Sequence, residues 1–203
     1  MATILRWSFV IALLFATTAE AQQTINGCLI KRKTSCPGVS LSGANLTKSN
    51  LSGADLAGAD MSDADLSGSK IMETNLIKAN LSNANLSGAN LSETYLTSAN
   101  LSHANLAKAD LSQSTLPDAN LRESNLAGAN LSLANLKGSD LTGANAKGAV
   151  FIMTSMVHAN LTRVDLTEAT LVGADLRNAI LESAIFCKTA MPDRSINNSG
   201  CPK

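Results

Sequence analysis

The sequence predicts an all-β solenoid, a chain wound into stacked coils that turns a corner every five residues. Three observations point there. An apolar residue recurs at every fifth position from Leu41 to Phe186, thirty times without a slip in phase. A small residue, usually Ala or Ser, stands two places before nearly all of them, and the residue between is most often Asn or Asp. Aromatic residues make up 3% of the 203-residue chain, so the interior has to be built from Leu and Ala rather than from large rings.

The first 21 residues read as a leader rather than as part of the fold. Arg6 supplies a positive start, Phe9 to Ala16 a short apolar run, and Ala19-Glu20-Ala21 an A-x-A cleavage signal that leaves Gln22 as the mature N-terminus. The apolar run is too short to span a bilayer comfortably, so membrane association is expected only if the leader stays uncleaved. Residues 22–40 follow as an N-terminal cap, 41–186 as the repeat region and 187–203 as a C-terminal cap. Export makes disulfides the natural reading of the four cysteines. Their placement argues for Cys28–Cys36 and Cys187–Cys201, one pair at each end of the repeats. The rival pairing joins the two ends of a rod that keeps them apart. A metal site is the other reading, but neither pair has C-x-x-C spacing and His103 and His158 lie far away in sequence.

A five-residue period fits no single regular element. Five residues of α-helix advance about 500°, so the leucines would spiral round the helix and form no face. A flat strand alternates with period 2, so an odd spacing would send successive leucines to opposite sides. A strand that bends every five residues satisfies both constraints. Within one side the small residue and the Leu are two apart and point inward together, while the Asn or Asp between them points out. Gly43, Gly53, Gly58, Gly68 and Gly88 fall in the bend, where a positive φ is cheap for Gly. Each buried Leu should contribute about 1.5–3 kcal/mol. The ends are the weak points, because a terminal coil exposes unpaired backbone.

The words as they stand, ANLSGANL at 84–91 and ADLAGADM at 54–61, resemble the pentapeptide-repeat family over residues 41–186. The resemblance implies a right-handed quadrilateral β-helix, with the central Leu and the small residue inside and the other three outside. Four corners make a coil of about 20 residues. Thirty words then make seven to eight coils, a rod of roughly 36 Å at ~4.8 Å per coil.

Departures from the word are the informative places. Ala146 takes a central position and the next is Phe151, whose ring is expected to fill the space that Ala146 leaves. Around them outward positions turn apolar. With a 20-residue coil, Leu133 stacks under Met153 and Ile152 under Val172. Leu133, Val150, Ile152, Met153 and Val172 then form one apolar patch, either an interaction site or a local bulge packed on the coil surface. Met72 and Ile77 make a smaller cluster of the same kind.

No catalytic constellation accompanies the repeat. His103 and His158 are 55 residues apart and fall on different sides and levels. The many serines, such as Ser62 and Ser82, follow from the period, and none has a His and a carboxylate arranged around it. No P-loop, dinucleotide fingerprint or calcium-binding nonapeptide is present. The expectation is a protein that is not an enzyme, with no cofactor, no metal and no small-molecule substrate. The balance of 16 Lys+Arg against 16 Asp+Glu gives no electrostatic case for nucleic acid. A structural or protein-binding scaffold of the periplasm or cell envelope, or a secreted one, fits best, with an unidentified protein as partner. A thylakoid lumen is the alternative compartment, because similar repeat proteins occur there. The alternative function is a DNA-mimicking inhibitor of a type II topoisomerase, as the resemblance implies for some cytosolic members. Residues 41–186 hold nine Lys+Arg and fourteen Asp+Glu, a mild acidity. Export and paired cysteines speak against that alternative.

Overall fold

The computed structural model describes residues 23–202; the leader expected over 1–21 lies outside the described residues. Residues 20 apart pair in parallel through isolated β-bridges, from Ser35↔Asp55 to Thr170↔Ala190. One coil is therefore 20 residues, four words, and each word supplies one side.

The hydrogen bonding shows why five residues suffice. The Leu56 N–H donates to Asn75 C=O at 2.8 Å and the Gly58 N–H to Ile77 C=O at 2.8 Å, both in the next coil. The Asp55 N–H donates down to Thr34 C=O at 2.8 Å, and the Ala59 N–H closes the corner on Leu56 C=O at 3.0 Å. Backbone groups are satisfied by neighbouring coils without any long strand. The corner demands a positive φ at its third residue: 65° at Gly43 and 69° at Gly53, but also 55° at Lys48 and 56° at Asp63.

The interior is closed to solvent. Every central residue from Leu51 to Leu171 has 0% exposure, Ala146 and Phe151 included. Several hydroxyls at the small position donate to a carbonyl: Thr74 to Leu51 C=O at 2.9 Å, Thr154 to Leu131 C=O at 2.7 Å, Ser139 to Leu136 C=O at 2.7 Å. Ser124 Oγ is buried without a partner. Ser124→Ala removes an unsatisfied group and restores the commonest residue of that position. It should raise the unfolding free energy by about 1 kcal/mol, measured by urea denaturation.

Outside, the Asn and Asp columns are directional ladders. Asn80 Nδ2 donates to Asp60 Oδ1 at 3.0 Å, Asn100 to Asn80 at 3.1 Å and Asn120 to Asn100 at 3.0 Å. A second ladder climbs from Asp65 through Asn85, Asn105 and Asn125 to Asn145. In both, the upper amide donates to the oxygen below, so the carboxylate sits at the base, where acceptance alone is required. The Ser62 hydroxyl, helped by the Ser62 N–H, holds the Asp60 carboxyl below its ordinary range. A lowered folded-state value means that this contribution is present above the unfolded carboxylate pKa and is lost as the pH falls through the folded one.

The two ends differ. At the N-terminus β1 (Thr24–Ile25) pairs antiparallel with β2 (Cys28–Leu29), and the Asn26-Gly27 turn has φ of 48° and 78°, the mirror-image turn that suits a tight hairpin. Cys28 is bonded to Cys36, and Cys28 and Ile30 are buried against the first coil. Coil pairing already includes Ser35, ahead of the regular word, because backbone bonds such as Cys36 N–H to Asp55 C=O at 2.8 Å need no particular side chain. At the C-terminus β3 (Thr189–Ala190) pairs antiparallel with β4 (Ile196–Asn197), and Cys187 is bonded to Cys201. Met191 is in phase and partly buried against the core.

Candidate partner-binding face

One corner column changes character along the rod. Residues 73, 93, 113, 133 and 153 occupy equivalent corners in successive coils, and read Glu, Glu, Gln, Leu, Met. Leu133 is 56% exposed and Met153 65%, the two most exposed side chains of the apolar group. Beside them Ile152 is 38% exposed, while Val150 and Val172 are half-buried. The Leu133 N–H donates to Ile152 C=O at 2.9 Å and the Met153 N–H to Val172 C=O at 3.0 Å, which fixes the vertical order of these four. Gly173 stands over Met153 with no side chain to cover it, and the Gly173 N–H continues the column to Pro192 C=O at 3.0 Å.

The backbone makes this pair unusual. Leu133 has φ of 61° and Met153 of 54°. Among the described residues, all the other non-glycine residues with positive φ are polar or charged. The left-handed region costs an L-residue about 1 kcal/mol, and neither side chain recovers that cost by burial. The result is two apolar side chains held in solvent on a rigid frame.

The other singled-out residues are apart from this face. Ile77 is 37% exposed and Met72 half-buried, its sulfur accepting from Asn90 Nδ2 at 3.1 Å. His103 Nδ1 lies 3.5 Å from Glu123 one coil above, both well exposed, and His158 stands exposed at another corner. The ion pairs Arg122–Asp140, at 2.9 Å, and Lys147–Asp165, at 3.2 Å, likewise run between adjacent coils. Among the described residues no group of three or more His, Cys, Asp or Glu is placed to hold a metal ion. No helix there is long and apolar enough to cross a membrane. What sequence reasoning missed is the strain: period alone gives the corner position, but not that it requires a positive φ whichever residue occupies it.

Comparison with known proteins identifies the repeat. A search of curated proteins gives no match. Among solved structures the chain is similar to HetL, a pentapeptide repeat protein involved in heterocyst differentiation regulation from the cyanobacterium Nostoc sp. strain PCC 7120. That similarity is 29% identity over 82% of this chain and 90% of HetL, with a TM-score of 0.29. It is also similar to AT2G44920, a pentapeptide repeat protein from the Arabidopsis thaliana thylakoid lumen. There the identity is 30%, over 58% of this chain and 68% of that one, with a TM-score of 0.24. A trypsin-treated form of QnrB1, a plasmid-mediated fluoroquinolone resistance protein, is 18% identical over 82% of this chain and 89% of its own, with a TM-score of 0.47. The family model for pentapeptide repeats matches in eight copies, over residues 38–71, 74–113, 116–151 and 147–182. That is more than half of the sequence, and it falls on the same residues whose coils stack 20 apart: the chain belongs to the pentapeptide-repeat family.

Proposed function

We propose that the protein is a non-enzymatic rod, right-handed and of seven to eight coils, that binds a protein partner outside the cytoplasm through the face of Leu133, Val150, Ile152, Met153 and Val172. The observation that carries this reading is the pair Leu133 and Met153, apolar, exposed and held at positive φ where polar residues and Gly stand elsewhere. The corner imposes that φ on every residue, so the departure lies in the exposed apolar side chains, and an exposed apolar cluster favours a binding surface. Two disulfides, together with the leader-like residues 1–21, support the periplasm, a secreted state or a lumen. The topoisomerase reading has the net acidity of residues 41–186 in its favour and the two disulfides against it.

A photo-crosslinking side chain placed at position 133 or 153 in the native cell, with position 93 of the same column as control, tests the face. A discrete adduct at 133 and 153 and none at 93 is expected. Equal labelling at all three, or none, overturns the face. The double variant Leu133→Gly/Met153→Gly should lose that adduct's partner while gaining about 1–2 kcal/mol of stability from the relieved backbone. Cell fractionation decides the compartment, and a cytoplasmic product with four free thiols would return the topoisomerase reading to the front.

A further inference from the structure

The C-terminal layer of the rod is half built. In each coil below, the N–H of the central residue and of the second corner residue point up and donate to the next coil, and the C=O of the small residue points up and accepts. Among the described residues, the N–H groups of Leu176, Asn178, Leu181 and Ser183 have no acceptor, and the C=O groups of Ala179 and Ala184 have no donor. The neighbouring side is closed in part, with the Phe186 N–H still open among the described residues. The Lys188 N–H donates to Asn198 Oδ1 at 2.9 Å, the Met191 N–H to Ser195 C=O at 2.8 Å, and the Gly200 N–H to Phe186 C=O at 2.7 Å. Residues 193–202 thus fill one half of a layer and leave the other half vacant.

The vacant half is apolar. Leu176, Ala179, Leu181 and Ala184 are only partly buried, whereas Met156, Ala159, Leu161 and Val164, one coil below, are fully buried. The outward column changes with them. Ile180 stands above Asn160 and Ile185 above Asp165, 51% and 39% exposed. Protein edges are ordinarily blunted by charge, Pro or a covering loop. This one presents isoleucines beside unpaired donors.

We propose that this half layer is a docking site for an extended segment of a partner protein, added as a parallel strand. The pattern of open groups selects that occupant: it repeats what the coils below present to the strand above them, two N–H donors and one C=O acceptor per word. The cap of residues 193–202 occupies the other half of the same layer and stands in the way of a second copy stacked end-on. The opposite end of another copy carries the β1–β2 hairpin and the Cys28–Cys36 bond on its own face. Main-chain pairing supplies affinity in such strand addition and alternate side chains supply selectivity. The open groups therefore specify the ligand: a small residue and an aliphatic residue two apart, both facing inward, and between them a residue whose N–H donates to Ala179 C=O and so is not Pro. The site is separate from the Leu133–Met153 face and stands or falls without it.

The probe is a synthetic peptide with the repeat's own sequence, Ala84 to Ser92 (ANLSGANLS), titrated into the intact isotope-labelled protein. The amide signals of Leu176, Asn178, Leu181 and Ser183 should shift, and their hydrogen exchange should slow about tenfold at ten times the dissociation constant. The same peptide carrying Asn85→Pro and Asn90→Pro should do neither, and Leu133 and Met153 should not respond to either peptide. No change up to millimolar peptide, or an equal response to the Pro peptide, overturns the proposal. Protection of those four amides in the free protein that grows with its own concentration also overturns it, in favour of a second copy.

Discussion

Phe151→Ala is expected to lower the unfolding free energy by about 3–5 kcal/mol, read from the shift of the urea transition. The ring is fully buried, and the central residues 20 positions on either side, Leu131 and Leu171, are also at 0% exposure. The coil cannot contract around a lost ring, because its circumference is fixed by corners hydrogen-bonded to the coils above and below. The residual cavity therefore persists, and cavity volume sets the upper part of the range. Ala146, the preceding central residue, makes the test sharper. Ala146→Leu alone should destabilise by about 1–3 kcal/mol through overpacking. Combined with Phe151→Ala it should recover part of the loss, because the two positions share one layer. A fully additive double variant would show that Phe151 does not occupy the room left by Ala146.

Removing the C-terminal disulfide gives the second large effect. Cys187 and Cys201 are 14 residues apart in sequence. Opening that loop, with both residues changed to Ser, should cost about 3 kcal/mol through the entropy of the unfolded chain. The loss should be local. A solenoid contacts only its neighbouring coils, so amides of the last coil, such as Ala190, should exchange faster while those near Leu81 stay unchanged. The N-terminal bond closes a shorter loop, 8 residues, and should be worth somewhat less, about 2.5 kcal/mol. A uniform acceleration of exchange along the rod would mean that the caps hold the array together as a single cooperative unit.

The inside of the rod was legible from period alone. Leu41 to Leu171 are buried, as five-residue spacing with a small partner two places earlier requires. The left-handed corner was legible only where Gly marked it, because Lys48, Leu133 and Met153 adopt the same φ and carry no signal for it in their side chains. The column partners of Leu133 and Ile152 followed from a 20-residue coil, which the bridges display. Their degree of exposure did not, since Val150 and Val172 lie half-covered beside more open neighbours. The vacant half layer above Leu176 to Ser183 had no sequence signature at all. Words there continue in phase through Leu181 and Phe186, and an unpaired N–H is a property of what fails to stack above it.

The 20-residue pairing has a consequence for how such a chain changes length. A word added or removed leaves every interior contact of the same kind, because Leu still stacks on Leu and a small residue on a small residue. It turns all that follows by a quarter revolution relative to all that precedes. Four words restore the original orientation and only lengthen the rod. Between Asp65 and Ala129, an insertion of one word would swing the Leu133–Met153 corner onto the neighbouring side of the N-terminal half, with the hydrophobic interior unaffected. Lineages of such chains can therefore drift in length by fives at little folding cost. A surface that must meet a partner in fixed orientation to both halves of the rod restricts them to steps of twenty.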